Sequence, residues 1–174
     1  MPYPPRRFRS GFSLLELIIV MSVIALLAGT VAPRLSEQLK AARDARRLSD
    51  AQTVRRAVEQ YFEDTGAYPV ANQNAGYGGW DVSHDGNFIN VLVNEGYLSE
   101  LIADPVNDDT FHFRYYVYNQ GSYGCVGPDK FYVLGIRNFE SASFAQKNSG
   151  TFLCSGFDWG TQFDWVTGGG ASRQ

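Results

Sequence analysis

The stretch FSLLELIIVMSVIALLAGTVA, Phe12 to Ala32, decides how this chain is organised. It holds 21 residues and a single charge, Glu16. At a rise of about 1.5 Å per residue, a helix of that length spans roughly 30 Å, the hydrocarbon thickness of a bilayer. Upstream, MPYPPRRFRSG contains Arg6, Arg7 and Arg9 and no acid. Basic residues before a span hold that end in the cytoplasm and send the remainder outward. A cleaved secretory signal has a shorter apolar core ending in a small-residue site. This run instead leads into more helix. A plain signal anchor fits the length but leaves Glu16 without a role. A carboxylate in the bilayer costs at least ~2–3 kcal/mol unless it finds a partner or snorkels to the interface.

The junction adds a third observation: Ser10-Gly11, then Phe12-Ser13-Leu14-Leu15-Glu16. Basic leader, Gly11, Phe12, Glu16 and an unbroken apolar run together resemble the class III signal of type IV pilins and type II secretion pseudopilins. The resemblance implies that prepilin peptidase cuts residues 1–11 away at Gly11–Phe12, on the cytoplasmic face. It implies that the amine of Phe12 is then methylated. It also implies that Glu16 pairs with the terminal amine of a neighbouring copy in a helical filament. An inner-membrane assembly platform and its ATPase are the further partners it implies. The precursor would be a single-pass protein of the cytoplasmic membrane with its N-terminus inside, and the assembled filament would be extracellular or periplasmic. Physics agrees with the role of Glu16, because a carboxylate and an ammonium that meet in a dry setting compensate for each other's burial.

Beyond Ala32 the pattern is amphipathic. Leu35, Leu39, Ala42, Ala45, Leu48, Ala51, Val54, Val58 and Tyr61 recur every three or four residues and predict one helical stripe. Arg43, Arg46, Arg47, Arg55 and Arg56 interleave with Glu37, Asp44, Asp50 and Glu59, a spacing that suits pairing within the helix. Gly66 is a natural stop. The expected helix therefore runs from Ser13 to Asp64, with 12–32 as the membrane or filament-core part and 33–64 as its amphipathic continuation. Pro33, and more weakly Gly29, should kink it. Pilins carry a glycine and a proline here too, where the resemblance implies unwinding in the filament. A simple membrane-exit hinge explains the same residues.

Residues 65–174 have another composition. They hold 16 of the 18 glycines, 8 of the 10 tyrosines and all three tryptophans, a mixture that argues for an antiparallel sheet with tight turns. Asn87–Glu95 reads as a short helix. Thr110–Asn119 and Lys130–Arg137 read as the main strands and Thr151–Cys154 as a short third one. The segments Thr65-Gly66-Ala67-Tyr68-Pro69, Gly96-Tyr97-Leu98 and Asp104-Pro105-Val106-Asn107 resemble the pilin and pseudopilin head, the major pseudopilin of type II secretion in particular. The tail, GTQFDWVTGGGASRQ, departs from that pattern. The fold class is thus α+β: a long N-terminal helix packed on a small antiparallel sheet.

The chain has 174 residues, 44% of them hydrophobic, which suits one globular domain with an appendage. A net charge of -3, falling to -6 once the three leader arginines are lost, makes nucleic acid a poor partner. Cys125 and Cys154 lie in the exported part, where a disulfide persists. It would close a loop of roughly 30 residues and add ~3–4 kcal/mol. A metal site or a reactive thiol is the alternative. Asp104, Asn107, Asp108 and Asp109 offer oxygen ligands for calcium, but the spacing of a calcium loop is absent and a solvated turn is the simpler reading. His84 and His112 read as sheet or loop residues. Ser83-His84-Asp85 is not a triad, since adjacent residues do not converge as a triad does. The Gly76–Trp80 run, GYGGW, lacks a phosphate-loop lysine and reads as a loop. The sequence therefore predicts a structural filament subunit of type IV pilus kind, not an enzyme, with no resident cofactor. A type II secretion pseudopilin is the alternative of the same fold. A membrane-anchored enzyme or binding module is the rival from another class.

Overall fold

The computed structural model describes residues 11–170, except for the side chains of residues 30–33. The leader before Gly11, the tail after Gly170 and the Pro33 side chain lie outside the described residues. The first element is helix α1, Leu14–Thr65, of 52 residues. It ends where glycine permits it: Gly66 takes φ 75° and its N–H returns to Phe62 O at 2.8 Å. The chain divides into two compact units, Met1–Leu39 and Lys40–Gln174, so the break falls inside α1 and the second half of the helix belongs to the head.

In the head, β1 (Asp81–Val82), β2 (Phe113–Tyr118), β3 (Phe131–Ile136) and β6 (Trp165–Gly169) form an antiparallel sheet in the order β1-β2-β3-β6. The central hairpin pairs Phe113 with Ile136 and Tyr118 with Phe131. Helices α2 (Val91–Asn94) and α3 (Ala142–Lys147) are short. Strands β4 (Leu153–Cys154) and β5 (Phe157–Asp158) form a separate two-stranded ribbon.

Side chains on β3 alternate between two cores, as a strand's period of two requires. Tyr132, Leu134 and Ile136 pack with Ala51, Val54, Ala57 and Val58 of α1. Phe131 and Val133 face a second cluster with Trp80, Phe152, Trp159 and Phe163. The sheet is therefore covered on both faces, by α1 on one and by an aromatic cluster on the other, beyond the helix-on-sheet packing expected. Thr151–Cys154 is not its third strand; it forms the ribbon whose Phe152 and Cys154 sit in the second cluster. The extra sheet strands are β1 and β6, the latter inside the atypical tail.

Gly135 marks how close that second layer lies. A Cβ there would stand 2.5–2.8 Å from ring atoms of Phe163, which is itself buried. Gly135→Ala should destabilise the head by about 1–3 kcal/mol through overpacking. Thermal denaturation of the variant checks it, and an unchanged midpoint would mean that the aromatic layer yields freely.

The expected helix over Asn87–Glu95 shrinks to Val91–Asn94 for a local reason. Ile89 adopts φ 41°, and its N–H is given to the Asp81 carboxylate.

Candidate functional site

Among the described residues, the large apolar side chains of the first unit stay largely exposed. Twelve large apolar residues between Phe12 and Leu27 keep 49–86% of their surface exposed. A helix that is apolar all round needs cover, from lipid or from other helices. Covering the remainder would yield on the order of 10–20 kcal/mol. The segment is long and apolar enough to cross a membrane. Its polar groups are few: Ser22 donates its hydroxyl back to Ile18 O at 2.7 Å, which satisfies it within the helix. Glu16 stands in the first turn of α1, and among the described residues no cation is paired with it. The structure thus places on one short segment an apolar surface and a charge that no cation among the described residues pairs with.

In the second unit, α1 continues its buried stripe with charges. Positions 44, 47, 51, 54 and 58 follow helical spacing and all are buried. Asp44 and Arg47 occupy the first two, and Arg47 has 0% exposure. Its guanidinium forks onto Asp104, with Nε 2.6 Å from Oδ2 and Nη2 2.9 Å from Oδ1. Nη1 reaches Asp44 Oδ1 and Glu140 Oε1, each at 2.7 Å. Arg43 donates to both oxygens of Glu140. Asp44 also accepts the backbone N–H groups of Glu140 and Ser141 at 3.0 and 2.8 Å. Burial alone would lower the Arg47 guanidinium, but its bonds to Asp104 and Glu140 outweigh burial and raise it above its ordinary value. The Arg43 hydrogen bond, with help from Arg47, holds the Glu140 carboxyl down at about 2. One cation therefore clamps α1, the loop at Asp104 and the segment between β3 and α3 together.

Cys125 and Cys154 form a disulfide. It sits in the second aromatic cluster, beside Phe131 and Trp159. The calcium candidates turn out to be engaged elsewhere. Asp104 gives both oxygens to Arg47, so the reading of it as a solvated turn residue is overturned. Asn107 accepts from the Ser83 hydroxyl at 2.9 Å. Asp108 accepts the N–H groups of Phe111 and Thr110, which hold its carboxyl below the usual range. Asp109 accepts the Tyr77 hydroxyl. Among the described residues no group of three or more His, Cys, Asp or Glu is arranged to hold a metal ion. His112 is buried, and burial pushes it down to about 4. The neutral ring donates Nδ1–H to Asp108 O and accepts Arg114 Nε–H at Nε2, each at 2.9 Å, a tautomer assigned from these partners. Ser83 also accepts the Phe113 N–H at 3.0 Å, a structural task.

Residues 6–32 match the family described as the prokaryotic N-terminal methylation motif. Over 128 residues the chain is 30% identical to the type II secretion system core protein G of Escherichia coli, covering 68% of this chain and 81% of that protein. The chain belongs to the type IV pilin and pseudopilin family. The type II secretion system core protein G of Pseudomonas aeruginosa is 29% identical over 139 residues, which cover 79% of this pilin-family chain and 91% of the other. The fimbrial protein EcpC of Eikenella corrodens is 27% identical over 88 residues, covering 51% and 56%. No solved structure matches the chain.

For this pilin-family subunit, sequence reasoning located the apolar segment, Glu16 and the two cysteines. It missed the clamp, because Ala42 and Ala45 were placed in the stripe that Asp44 and Arg47 occupy. The signal was present: extending the Val58, Val54, Ala51 spacing upstream lands on Arg47 and Asp44.

Proposed function

We propose that this chain is a structural subunit of a helical filament of type IV pilus kind, not an enzyme and without a resident cofactor. The observation that carries the reading is the uncovered apolar helix with Glu16 four residues beyond Phe12, inside the methylation motif. Prepilin peptidase would cut at Gly11–Phe12 and the new amine of Phe12 would be methylated. Before assembly the subunit would sit in the cytoplasmic membrane with its N-terminus inside. An assembly platform and its ATPase would then extract it. Apolar burial supplies the cohesion between copies. Glu16 sets their stagger by meeting the ammonium of the next Phe12. Gly29 and Pro33 supply the weak point in the helix.

The test is Glu16→Ala in the producing cell. The variant should be cut and methylated normally, with mass spectrometry showing a chain that begins at N-methylated Phe12, while its incorporation into filaments falls at least tenfold. Normal filament yield from that variant would refute the register role. A chain that still begins at Met1 would refute the whole reading.

The two secretion relatives match most of this chain, which favours a second reading as a pseudopilin, a short periplasmic fibre of an export apparatus. Deleting the gene separates the two. Loss of surface filaments supports the pilus, and loss of protein export with surface filaments intact supports the pseudopilus.

A further inference from the structure

Asp81 is a carboxylate at 0% exposure with no paired cation among the described residues. Its Oδ2 accepts two backbone N–H groups, from Asn72 at 2.8 Å and from Ile89 at 3.1 Å. Its Oδ1 is buried and has no hydrogen-bond partner. Two chain segments that flank β1 are thus tied to one oxygen atom, while the other oxygen is stranded away from water. One of the tied residues, Ile89, is held at φ 41°, a region that a β-branched residue enters only under constraint. Asn72 in turn donates to Asn90 Oδ1 and to Asn87 O, so the tie extends along the whole segment. The groups that bear on Asp81 are Asp85, which adds like charge, and the buried Tyr115 opposite it on β2. Tyr115 gives its hydroxyl to Pro69 O at 3.0 Å. Among the described residues no cation is paired with Asp81, and only the two amide donors favour its charged form.

We propose that Asp81 is a proton-operated latch: protonated at Oδ1 it holds the segments that flank β1, residues 70–80 and 84–90, shut, and on ionising it lets them open. The neutral form keeps Oδ2 as a carbonyl acceptor for both amides; the amides bind the anion more strongly, but burial outweighs that preference. The charged form leaves a bare anionic oxygen in an apolar site, and opening wets it. Opening also releases the constraint on Ile89. The first of these segments, through Val70, Ala71 and Gln73, forms one wall of a groove of about 530 Å³ whose other wall includes Tyr116 and Val117. The latch therefore controls access to that groove. It does not depend on the filament reading.

Burial raises the Asp81 carboxyl from 3.8 to about 7 in the closed head. The sign follows directly. Between these two values the closed state holds a proton that the open state lacks, so closing weakens as pH rises through that window and is flat outside it. One proton corresponds to a tenfold change per pH unit.

Hydrogen exchange on the full chain in detergent micelles tests this, with rates corrected for intrinsic exchange. From about pH 4.5 to about pH 6.5, opening of residues 70–80 and 84–90 should rise about a hundredfold, while β2 and β3 stay unchanged. Asp81→Asn should remove the dependence, and His84→Gln, three residues away, should leave it in place. A wild-type segment with no pH dependence, a dependence shared equally by the whole head, or one abolished by His84→Gln instead would each overturn the latch. Should Asp81→Asn misfold, the wild-type profile and the His84→Gln control still decide.

Discussion

Arg47→Met should destabilise the head by about 3–5 kcal/mol, the largest loss expected from any single side chain in it. The reason is asymmetry. Removing the cation leaves Asp44, Asp104 and Glu140 facing one another in a site from which water is excluded, with Arg43 as the remaining counterion. Losing one partner of a buried ion pair is far more harmful than losing the whole group. Equilibrium unfolding in urea measures it. A combined Arg47→Met, Asp104→Leu variant should recover a substantial part of the loss, because it also removes the stranded charge. If the double variant is as unstable as the sum of two independent losses, the clamp is not a coupled unit.

Replacing both cysteines by alanine should lower stability by about 2–4 kcal/mol, and reductant should do the same to the native chain. The loop between Cys125 and Cys154 spans 29 positions, and opening it returns that chain entropy to the unfolded state. The layer it holds is built of two-residue strands and short turns, which cannot sustain themselves. Trp159 lies in that layer at 1% exposure, so its fluorescence should redden before the hairpin signal is lost. Coincident loss of both signals at an unchanged midpoint would show the bridge to be dispensable.

The legible parts of the fold were those where one physical pattern dominated. Phe12–Ala32 is apolar throughout, Gly66 is a helix stop, and the β2–β3 hairpin is aromatic and β-branched in both arms. Strand β6 was concealed because Trp165–Gly169 ends in glycines, which carry little strand preference; they are there because Tyr132 and Phe152 crowd Gly168 and Gly169. Strand β1 is two residues long, too short for any period to show. At the site, Glu16 stood out because a lone acid in an apolar run is costly and hence visible. Asp44, Arg47, Asp104 and Asp81 look like ordinary solvated charges in sequence. Asp81 binds amides 8 and 9 positions away, but through loop backbone that has no sequence period. The burial of Asp44, Arg47 and Asp104 depends on partners 57 to 97 positions away, which no local pattern reports.

That separation also dictates when the head can mature during synthesis. Glu140 completes the ring of carboxylates around Arg47, so α1 is made long before its charged face finds all its partners. Long-range closure of this kind slows folding in proportion to the chain it must gather. Until the ribosome has delivered Glu140, Asp44 and Arg47 lack a partner that the folded head supplies, and maturation of the head waits on most of the chain.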